Sequence, residues 1–385
     1  ERMTYELHCI DQFEEIAKRR DDWFRLAAEY AVAAPFCRPE AWLGWLETFL
    51  EYEPLVFELR DESGQLRAVL PLYENGLKLR VATDAHLDYQ DILADSNESA
   101  VQLLKRIIET ERGEGFSLTF GKVAEHSRLH AALHDERLES IASIQGRYWS
   151  ICPATQFAVP ESREFLPALS SRQRKDYRAA TRRTADAFPD HVVEARWGKE
   201  IPLSEIEAAG QLHQANQYRK EGDSVFADPG FADFLKRQAE RGVPLLLNTL
   251  RERPNGSPIA FSLGYFARDT YYYYMTAYEG RHSELSPGRK IMVDSLIECA
   301  RRLEGNTLRF DMLSGEESYK SRWAKSFYQV NRFQVIPKRL GNLPRMAAYS
   351  TVYGLKEAKN RWRSRLGVGD RLTEALEHER PVLPS

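Results

Sequence analysis

Hydrophobic and polar residues follow their most regular pattern between residues 244 and 323. Three consecutive stretches rich in aliphatic and aromatic residues predict strands: 244–251, 259–266 and 270–278. An apolar periodicity typical of a helix follows at 291–303, and a further strand is predicted at 308–313. A Ser-Pro-Gly sequence at 286–288 precedes this helix. Helix starts carry N–H groups without helical partners, so this one could hold a phosphate or pyrophosphate.

The first half of the chain repeats this order of elements. Strands are predicted at 54–60, 66–73, 77–81 and 116–120, with a helix at 101–111 before the last of them. Pro54 lies 190 residues before Pro244, and Gly113 lies 192 residues before Gly305. This nearly constant offset predicts a duplicated lobe.

Composition is that of a soluble globular protein with room for two domains. The chain has 385 residues, of which 43% are hydrophobic and 29% charged, with a net charge of −3. This charge gives no general attraction to DNA or to an anionic membrane. The four cysteines are scattered, which argues against a structural metal site and against disulfides. No apolar run has the length of a membrane span and the N-terminus has no signal-peptide pattern, so we expect a cytoplasmic protein.

A series of short motifs resembles one known family. In chain order they are Phe36, Pro39, Trp42, Trp45, 69–72, 226–228, 257–260, 286–288, Phe310-Asp311 and 319–323. Their order resembles that of GNAT-fold N-acyltransferases, most of all the two-lobed cellulose-biosynthesis (CelD/BcsL-like) type, which is related to the Fem-type aminoacyl transferases. The resemblance covers most of residues 10–335. One departure is that Ser-Pro-Gly-Arg-Lys replaces the usual Gln/Arg-x-x-Gly-x-Gly/Ala loop.

The resemblance implies an α/β (mixed α+β) fold with two tandem GNAT-like lobes. Each lobe would be a mostly antiparallel mixed sheet flanked by helices. We expect an N-terminal lobe at 1–160, a C-terminal lobe with the acyl-CoA site at 161–340, and a basic helical extension at 341–385. Such a basic helix could contact an anionic membrane surface peripherally or pack on the protein itself.

The acyl-CoA co-substrate is expected in the second lobe. For its pyrophosphate the candidates at the helix start are Ser286, Pro287, Gly288, Arg289 and Lys290. Proline suits a first helical turn, glycine allows close backbone approach, and the two cations add charge. Relatives splay two strands at the position of Thr276, Ala277 and Tyr278, where pantetheine could pair like an added strand. An ordinary helix start remains the alternative.

Five residues are candidates for proton transfer: His213, Glu279, Asp311, Tyr319 and Lys320. Either His213 or Glu279 could be the general base. Asp311 is expected at the carboxyl edge of a strand, where α/β sites collect. The resemblance implies that Tyr319 could protonate the leaving thiolate and that Lys320 corresponds to a lysine of Fem-type enzymes. Each of these residues could also be structural.

Four further residues are candidates for substrate binding: Arg178, Arg182, Asp228 and Trp323. The two arginines belong to a basic helix predicted from Ser170 onward, and arginine can bond two phosphate oxygens at once. A solvated, charged helix face is the alternative. The resemblance implies that Asp228 could orient His213 or a substrate amine.

Three functions remain open at this point. The first is transfer of an acetyl or other acyl group from acyl-CoA to an amine, with amino sugars or nucleotide-linked sugars of exopolysaccharide biosynthesis as candidate acceptors. The second is a Fem-like transferase that uses aminoacyl-tRNA, whose RNA backbone would contact the basic segments. The third is a non-catalytic GNAT-like binding module. CoA binding separates the first from the others.

Overall fold

A single mixed β-sheet runs through both halves of the chain in the computed structural model. The structure describes residues 4–30, 35–110, 116–219, 222–315, 317–348 and 351. The strands are β1 (Tyr5–Ile10), β2 (Pro54–Asp61), β3 (Leu66–Asn75), β4 (Lys78–Val81), β5 (Leu93–Ala94), β6 (Ser117–Ala124), β7 (Ala142–Ala158), β8 (Val192–Trp197), β9 (Leu245–Arg251), β10 (Pro258–Ala267), β11 (Thr270–Tyr278), β12 (Thr307–Asp311) and β13 (Ser326–Pro337). The α-helices are α1 (Phe13–Glu29), α2 (Pro39–Thr48), α3 (Asn97–Glu109), α4 (Arg128–Leu133), α5 (Glu136–Ile141), α6 (Ser171–Ala187), α7 (Leu203–Arg219), α8 (Phe231–Glu240), α9 (Pro287–Arg301) and α10 (Ser318–Ser321).

The two halves of the sheet have the same local topology. The strand order is β1-β2-β3-β4-β6-β13-β7-β12-β11-β10-β9-β8, with β5 beside β3. Two neighbouring pairs are parallel, β4 with β6 and β11 with β12, and each is connected through a helix, α3 and α9 respectively. The other pairs are antiparallel. The predicted mixed α/β fold is therefore confirmed.

Strands β7 and β13 join the two halves. They pair antiparallel from Ser326↔Ala154 to Pro337↔Ala142, so they form a long ribbon at the centre of the sheet. On one side β13 pairs with β6 of the first half, and on the other β7 pairs with β12 of the second half. Because each half contributes a strand to this ribbon, the boundaries at residues 160 and 340 stay a prediction.

Helices cover the two faces of the sheet differently. On one face α1, α2, α7 and α8 pack over a core that both halves share, and Trp23, Trp42 and Trp45 are fully buried in it. On the other face α3 covers a core of the first half, whereas α9 covers a separate core of the second half. The shared face holds the halves together and brings first-half side chains next to β11 and β12.

The chain after Pro337 is described only in part. A 3₁₀ turn at Leu340–Asn342 is followed by helical residues at 343–348. Most of the predicted basic extension, 352–385, lies outside the described residues. In the part of the chain that the structure does describe, no helix is long and apolar enough to cross a membrane.

Candidate active site

A gap opens between two neighbouring strands of the second half. The parallel pairing of β11 with β12 ends at Tyr272 and Asp311. Beyond Asp311 the chain stays on β7, because the Met312 N–H donates to Pro153 O at 3.0 Å and the Gly315 N–H donates to Ile151 O at 3.2 Å. Strand β11 instead continues along β10 to Tyr278. The two strands therefore diverge, which leaves one edge of β11 unpaired.

The unpaired edge presents main-chain groups to this gap. The Glu279 N–H donates to Ile259 O at 2.9 Å, so residue 279 is hydrogen-bonded to β10. Along an antiparallel pair, residues whose main-chain groups bond to the partner strand alternate with residues whose groups point away from it. The main-chain groups of Thr276 and Tyr278 therefore point away from β10. The Tyr278 carbonyl accepts from Asn216 Nδ2 of α7 at 2.7 Å. Thr276 therefore offers its N–H and C=O to a ligand in the gap.

A cleft of about 320 Å³ lies at this edge and below the start of α9. It is lined by seven of the eight residues expected to hold the co-substrate: Thr276, Ala277, Tyr278, Ser286, Pro287, Gly288 and Arg289. Tyr319 and Trp323 also line it, together with Asn216 and Arg322. The cleft thus brings together predicted site residues from Thr276 to Trp323, which are 47 positions apart along the chain.

Lys290 points away from the cleft. Its ammonium group is buried and pairs with Asp294 at 2.8 Å. Tyr177 of α6 donates to the same carboxylate at 2.6 Å. Burial first, and the negative charge of Asp294 second, raise the pKa of Tyr177 above its ordinary range. Lys290 therefore joins α9 to α6 and does not face a ligand in the cleft.

The start of α9 has one free N–H group. Ser286 is in the left-handed region, with φ 56° and ψ 49°, and its carbonyl accepts from both Arg289 and Lys290. Pro287 has no N–H, so among the described residues only the Gly288 N–H of this turn has no acceptor. Much of the positive charge at this end of the cleft therefore comes from side chains.

Those side chains come from three helices. Arg289 of α9 and Arg322, just after α10, line the cleft. Arg183 of α6 donates from Nη2 to Ser286 Oγ at 3.1 Å, next to the helix start. Arg289 also pairs with Asp176 at 3.3 Å. Arg183 belongs to the basic helix predicted from Ser170 onward, but only its position in the folded helix distinguishes it from the neighbouring arginines.

Arg178 and Arg182 lie on a different face of α6. The helix begins with a capping box formed by Ser170 and Gln173. Asp176 and Arg183 are seven positions apart, so they share the face turned to α9. Since each residue turns a helix by about 100°, Arg178 lies about 150° and Arg182 about 110° around the helix from that face. Both are exposed to solvent.

The three predicted residues around α10 occupy different environments. Tyr319 lines the cleft, and burial raises its pKa above the ordinary range of tyrosine. Trp323 is buried, and its ring meets the ring of Phe310 edge-on. Lys320 is buried outside the cleft, where its ammonium donates to Ser314 O at 2.9 Å and pairs with Glu317 at 3.0 Å.

Asp311 lies at the fork of the gap, on the shared face of the sheet. Its carboxylate accepts from Tyr89 Oη at 2.9 Å, from Tyr328 Oη at 2.6 Å and from the Leu313 N–H at 3.0 Å. Burial raises the pKa of Asp311, and these three donors act in the opposite direction. Sequence reasoning missed both tyrosines, because Tyr89 belongs to the first half and no local pattern marks Tyr328.

Three other candidates do not line the cleft. His213 contacts Ser224 Oγ through Nδ1 at 2.7 Å and packs against aromatic rings. Glu279 accepts from Arg281 at 2.6 Å. Asp228 pairs with His86 Nε2 at 2.8 Å, so its partner is not His213. Proton transfer by His213 or Glu279 and substrate binding by Asp228 stay predictions.

The equivalent gap of the first half is filled by its own chain. Parallel pairing of β4 with β6 ends at Arg80 and Thr119. Beyond it, the Gln90 N–H donates to Lys122 O at 2.7 Å, and its side-chain oxygen accepts from the Gly121 N–H at 2.6 Å. This segment is therefore hydrogen-bonded to β6 inside the gap and occupies space that a ligand would need. The observation supports placing the co-substrate in the second lobe only.

The part of the chain that forms most of this cleft is similar to a known family. Residues 171–321 match the family described as the acetyltransferase (GNAT) domain. This match indicates an acyltransferase and confirms the resemblance to GNAT-fold enzymes, while the CelD/BcsL-like type stays a prediction. No curated protein matches the chain.

Solved structures extend the likeness to the whole fold. The chain is similar to FemX at a TM-score of 0.59 and 12% identity, over 82% of this chain and 96% of FemX. It is similar to L-PGS from Bacillus licheniformis at 0.50 and 12%, over 87% and 96% of the two chains. A conserved protein of unknown function from Bacteroides thetaiotaomicron gives 0.54 and 12%, over 86% and 100%. At this identity the likeness shows the fold alone.

Proposed function

We propose that this protein transfers an acyl group from acyl-CoA to an amine, with the donor held in the cleft between β11 and β12. The observation that carries the proposal is the unpaired edge of β11 directly below the start of α9. Thr276 would pair with the pantetheine amide groups like an added strand. The Gly288 N–H, Arg289 and Arg183 would bind the pyrophosphate.

Bound acyl-CoA would supply a reactive thioester. The Tyr319 hydroxyl would give a proton to the leaving sulfur, since Tyr319 lines the cleft and a tyrosine can act as a general acid. Asp311 accepts the proton of the attacking amine from the other side of the gap. The acceptor would be an amine. Its identity as an amino sugar or a nucleotide-linked sugar of exopolysaccharide biosynthesis rests on the family resemblance alone.

A second donor, aminoacyl-tRNA, is favoured by two observations. FemX and L-PGS share the fold over most of the chain. Arg178 and Arg182 are exposed on the outer face of α6, where an RNA backbone could reach them. Binding of this kind would weaken steeply as salt is raised, since each phosphate contact releases a counterion.

Calorimetric titration separates the two donors. Acetyl-CoA, free CoA and tRNA would be titrated into the same preparation at low and moderate salt. Micromolar binding of acetyl-CoA, followed by release of free thiol when a panel of amines is added, would support the acyl-CoA proposal. Binding of tRNA without binding of CoA would replace it with the aminoacyl-transfer function, and binding of neither would contradict both.

A further inference from the structure

Asp311 is tied to both lobes by buried hydrogen bonds. Tyr89 comes from the loop after β4, and Tyr328 comes from β13. Their hydroxyl groups donate to different oxygens of the Asp311 carboxylate, Oδ1 and Oδ2 respectively, and they also contact each other. The exposed fractions are 2% for Asp311, 5% for Tyr89 and 8% for Tyr328. We call these three residues the carboxylate centre.

The carboxylate centre and the cleft lie on opposite faces of the sheet. Phe310 packs with Tyr273 and Trp323 in the core below α9, which is the side of Tyr319. Successive strand residues point to opposite faces, so Asp311 points to the shared face. Asp311 is also the last residue of β12 paired with β11. A group that passes through the gap from the cleft would emerge next to this carboxylate.

The loop that carries Tyr89 has an uncommon backbone conformation. Tyr89 has φ 45° and Thr83, in the same loop, has φ 85°; both values are rare for residues with large or branched side chains. The next residue, Gln90, is fixed on β6 by its two hydrogen bonds. Leu313, whose N–H donates to Asp311, has φ 55°. Strained backbone conformations of this kind are concentrated at sites where function requires a side chain in one fixed position.

The same loop makes a second contact across the lobes. Asp88 pairs with Lys122 at 2.9 Å and accepts from Ser314 Oγ at 3.3 Å. The Ser314 carbonyl in turn accepts from Lys320. The first-half loop therefore fixes the segment that leaves β12 as well as the carboxylate at its end.

We infer that the first lobe completes the acceptor side of the active site: the hydroxyl groups of Tyr89 and Tyr328 position Asp311 to receive the proton of the acceptor amine. The inference rests on the proposed acyl transfer. The amine binds on the shared face between the lobes and reaches the acyl group through the gap. Arg309, half exposed and 3.8 Å from Asp311 Oδ2, and the exposed His126, whose ring packs on Tyr328, flank the approach.

The proton count of this step balances. As the C–N bond forms, the amine N–H breaks and a new O–H forms on Asp311, directly or through the Tyr328 hydroxyl, which passes its own proton to the carboxylate. The C–S bond breaks and its electron pair takes the Tyr319 proton, which gives a free thiol. Solvent then removes the proton from Asp311 and returns one to Tyr319, so that the products are the amide and CoA.

Tyrosine-to-phenylalanine variants test the inference through the pH–rate profile. Tyr89→Phe and Tyr328→Phe each remove one donor to the ionised form of Asp311, so the pKa of Asp311 should rise. The acidic limb of kcat should then move to higher pH, kcat should fall by about tenfold, and KM for acetyl-CoA should stay unchanged. Asp311→Asn should lower kcat by about a hundredfold or more.

The other groups around the carboxylate stay in place in these variants. The titratable and charged side chains that face Asp311 are Arg309 on β12, Tyr272 on β11, Cys152 on β7 and, farther away, His126. A matched control is Tyr265→Phe. Tyr265 is buried and packs its ring on Phe36, as Tyr89 does, but its hydroxyl donates to Gln238 at 3.4 Å and not to Asp311. This variant should leave the acidic limb where it is.

The possible results separate this inference from the proposed function. If the wild type binds acetyl-CoA and acylates no amine of the panel, the proposed function fails and the inference fails with it. If the wild type is active and both tyrosine variants keep the wild-type limb and kcat, as Tyr265→Phe does, the inference alone is overturned. Thermal melting of each variant checks that it is folded, and a limb shift in Tyr89→Phe with normal melting supports the inference.

Discussion

We predict that replacing Gly288 by aspartate strongly weakens acetyl-CoA binding without unfolding the protein. A Cβ at Gly288 would lie 3.3 Å from Tyr278 Cδ1 and 3.5 Å from Cε1. This is a tight contact with the edge of one ring, which can move by a few tenths of an ångström. A carboxylate in the first turn of a helix is itself favourable by about 0.3–1 kcal/mol. Folding should therefore change little.

Binding should change because the new carboxylate would stand where the donor phosphates are expected. It would lie beside the free Gly288 N–H, near Arg289 and Arg183. Two like unit charges about 4 Å apart repel by about 1 kcal/mol in water and about 4 kcal/mol at the effective dielectric constant of a protein surface. The dissociation constant should then rise by between about fivefold and about a thousandfold.

Calorimetry with two control variants separates charge from size. Gly288→Ala adds only the Cβ, and Gly288→Asn adds a neutral side chain with the shape of aspartate. We expect both to bind acetyl-CoA much better than Gly288→Asp, and the difference to shrink in high salt because the cleft mouth is open to solvent. Equal affinities of the aspartate and asparagine variants at low salt would refute the placement of the phosphates at this helix start.

Two further predictions concern stability. The fully buried Glu58 carboxylate accepts from Trp23 Nε1 at 2.7 Å and pairs with Arg60 at 2.8 Å. Glu58→Ala should therefore lower the free energy of unfolding in urea by about 3 kcal/mol or more, and a loss below about 1 kcal/mol would contradict this. Trp45 Nε1 donates to His86 Nδ1 at 2.9 Å, which requires an unprotonated Nδ1, and burial lowers the pKa of His86. The unfolded chain then binds a proton on His86 more readily than the folded protein does, so the melting temperature should fall as pH drops below about 6.5. The fall should be smaller in His86→Phe, and an equal dependence of melting temperature on pH in the two proteins would contradict an unprotonated His86.

The order of elements in the second lobe could be predicted because its strands are short and apolar. Strands β9 and β10 are buried along almost their whole length, and β11 is buried at Tyr271–Tyr273, so their hydrophobic stretches are continuous. The helix after them was predicted from 291, whereas α9 begins at Pro287. Proline at the first helical position explains the difference, since the apolar periodicity becomes visible only after the first turn.

The central ribbon could not be predicted from local patterns. Between residues 142 and 150 of β7 only Ala142 is buried, and Tyr148 and Trp149 are exposed, so this part of the strand does not alternate in the way of a half-buried strand. Register shifts at this point in the pairing with β13 disturb the alternation further. Its partner, β13, lies far away along the chain. Only the folded sheet brings the two strands together.

The candidate site was predictable where its residues are close in sequence. The residues around α9 and β11 were found because a strand, a turn and a helix start follow each other directly. Lys290 was misplaced because its orientation depends on the phase of α9 and on Asp294 one turn later. Tyr89 and Tyr328 lie 222 and 17 positions from Asp311, and neither separation carries a pattern.

The two gaps of the sheet explain why two similar lobes need not bind two donors. In the first lobe the chain after β4 closes the gap, with Gln90 hydrogen-bonded to the edge of β6. The residue just before it, Tyr89, reaches across to Asp311 at the fork of the open gap. The segment that prevents ligand binding in one lobe is therefore the segment that would complete the reaction centre of the other. A second lobe without the first would lose Tyr89, and it would also lose β7, which holds the chain beyond Asp311 away from β11.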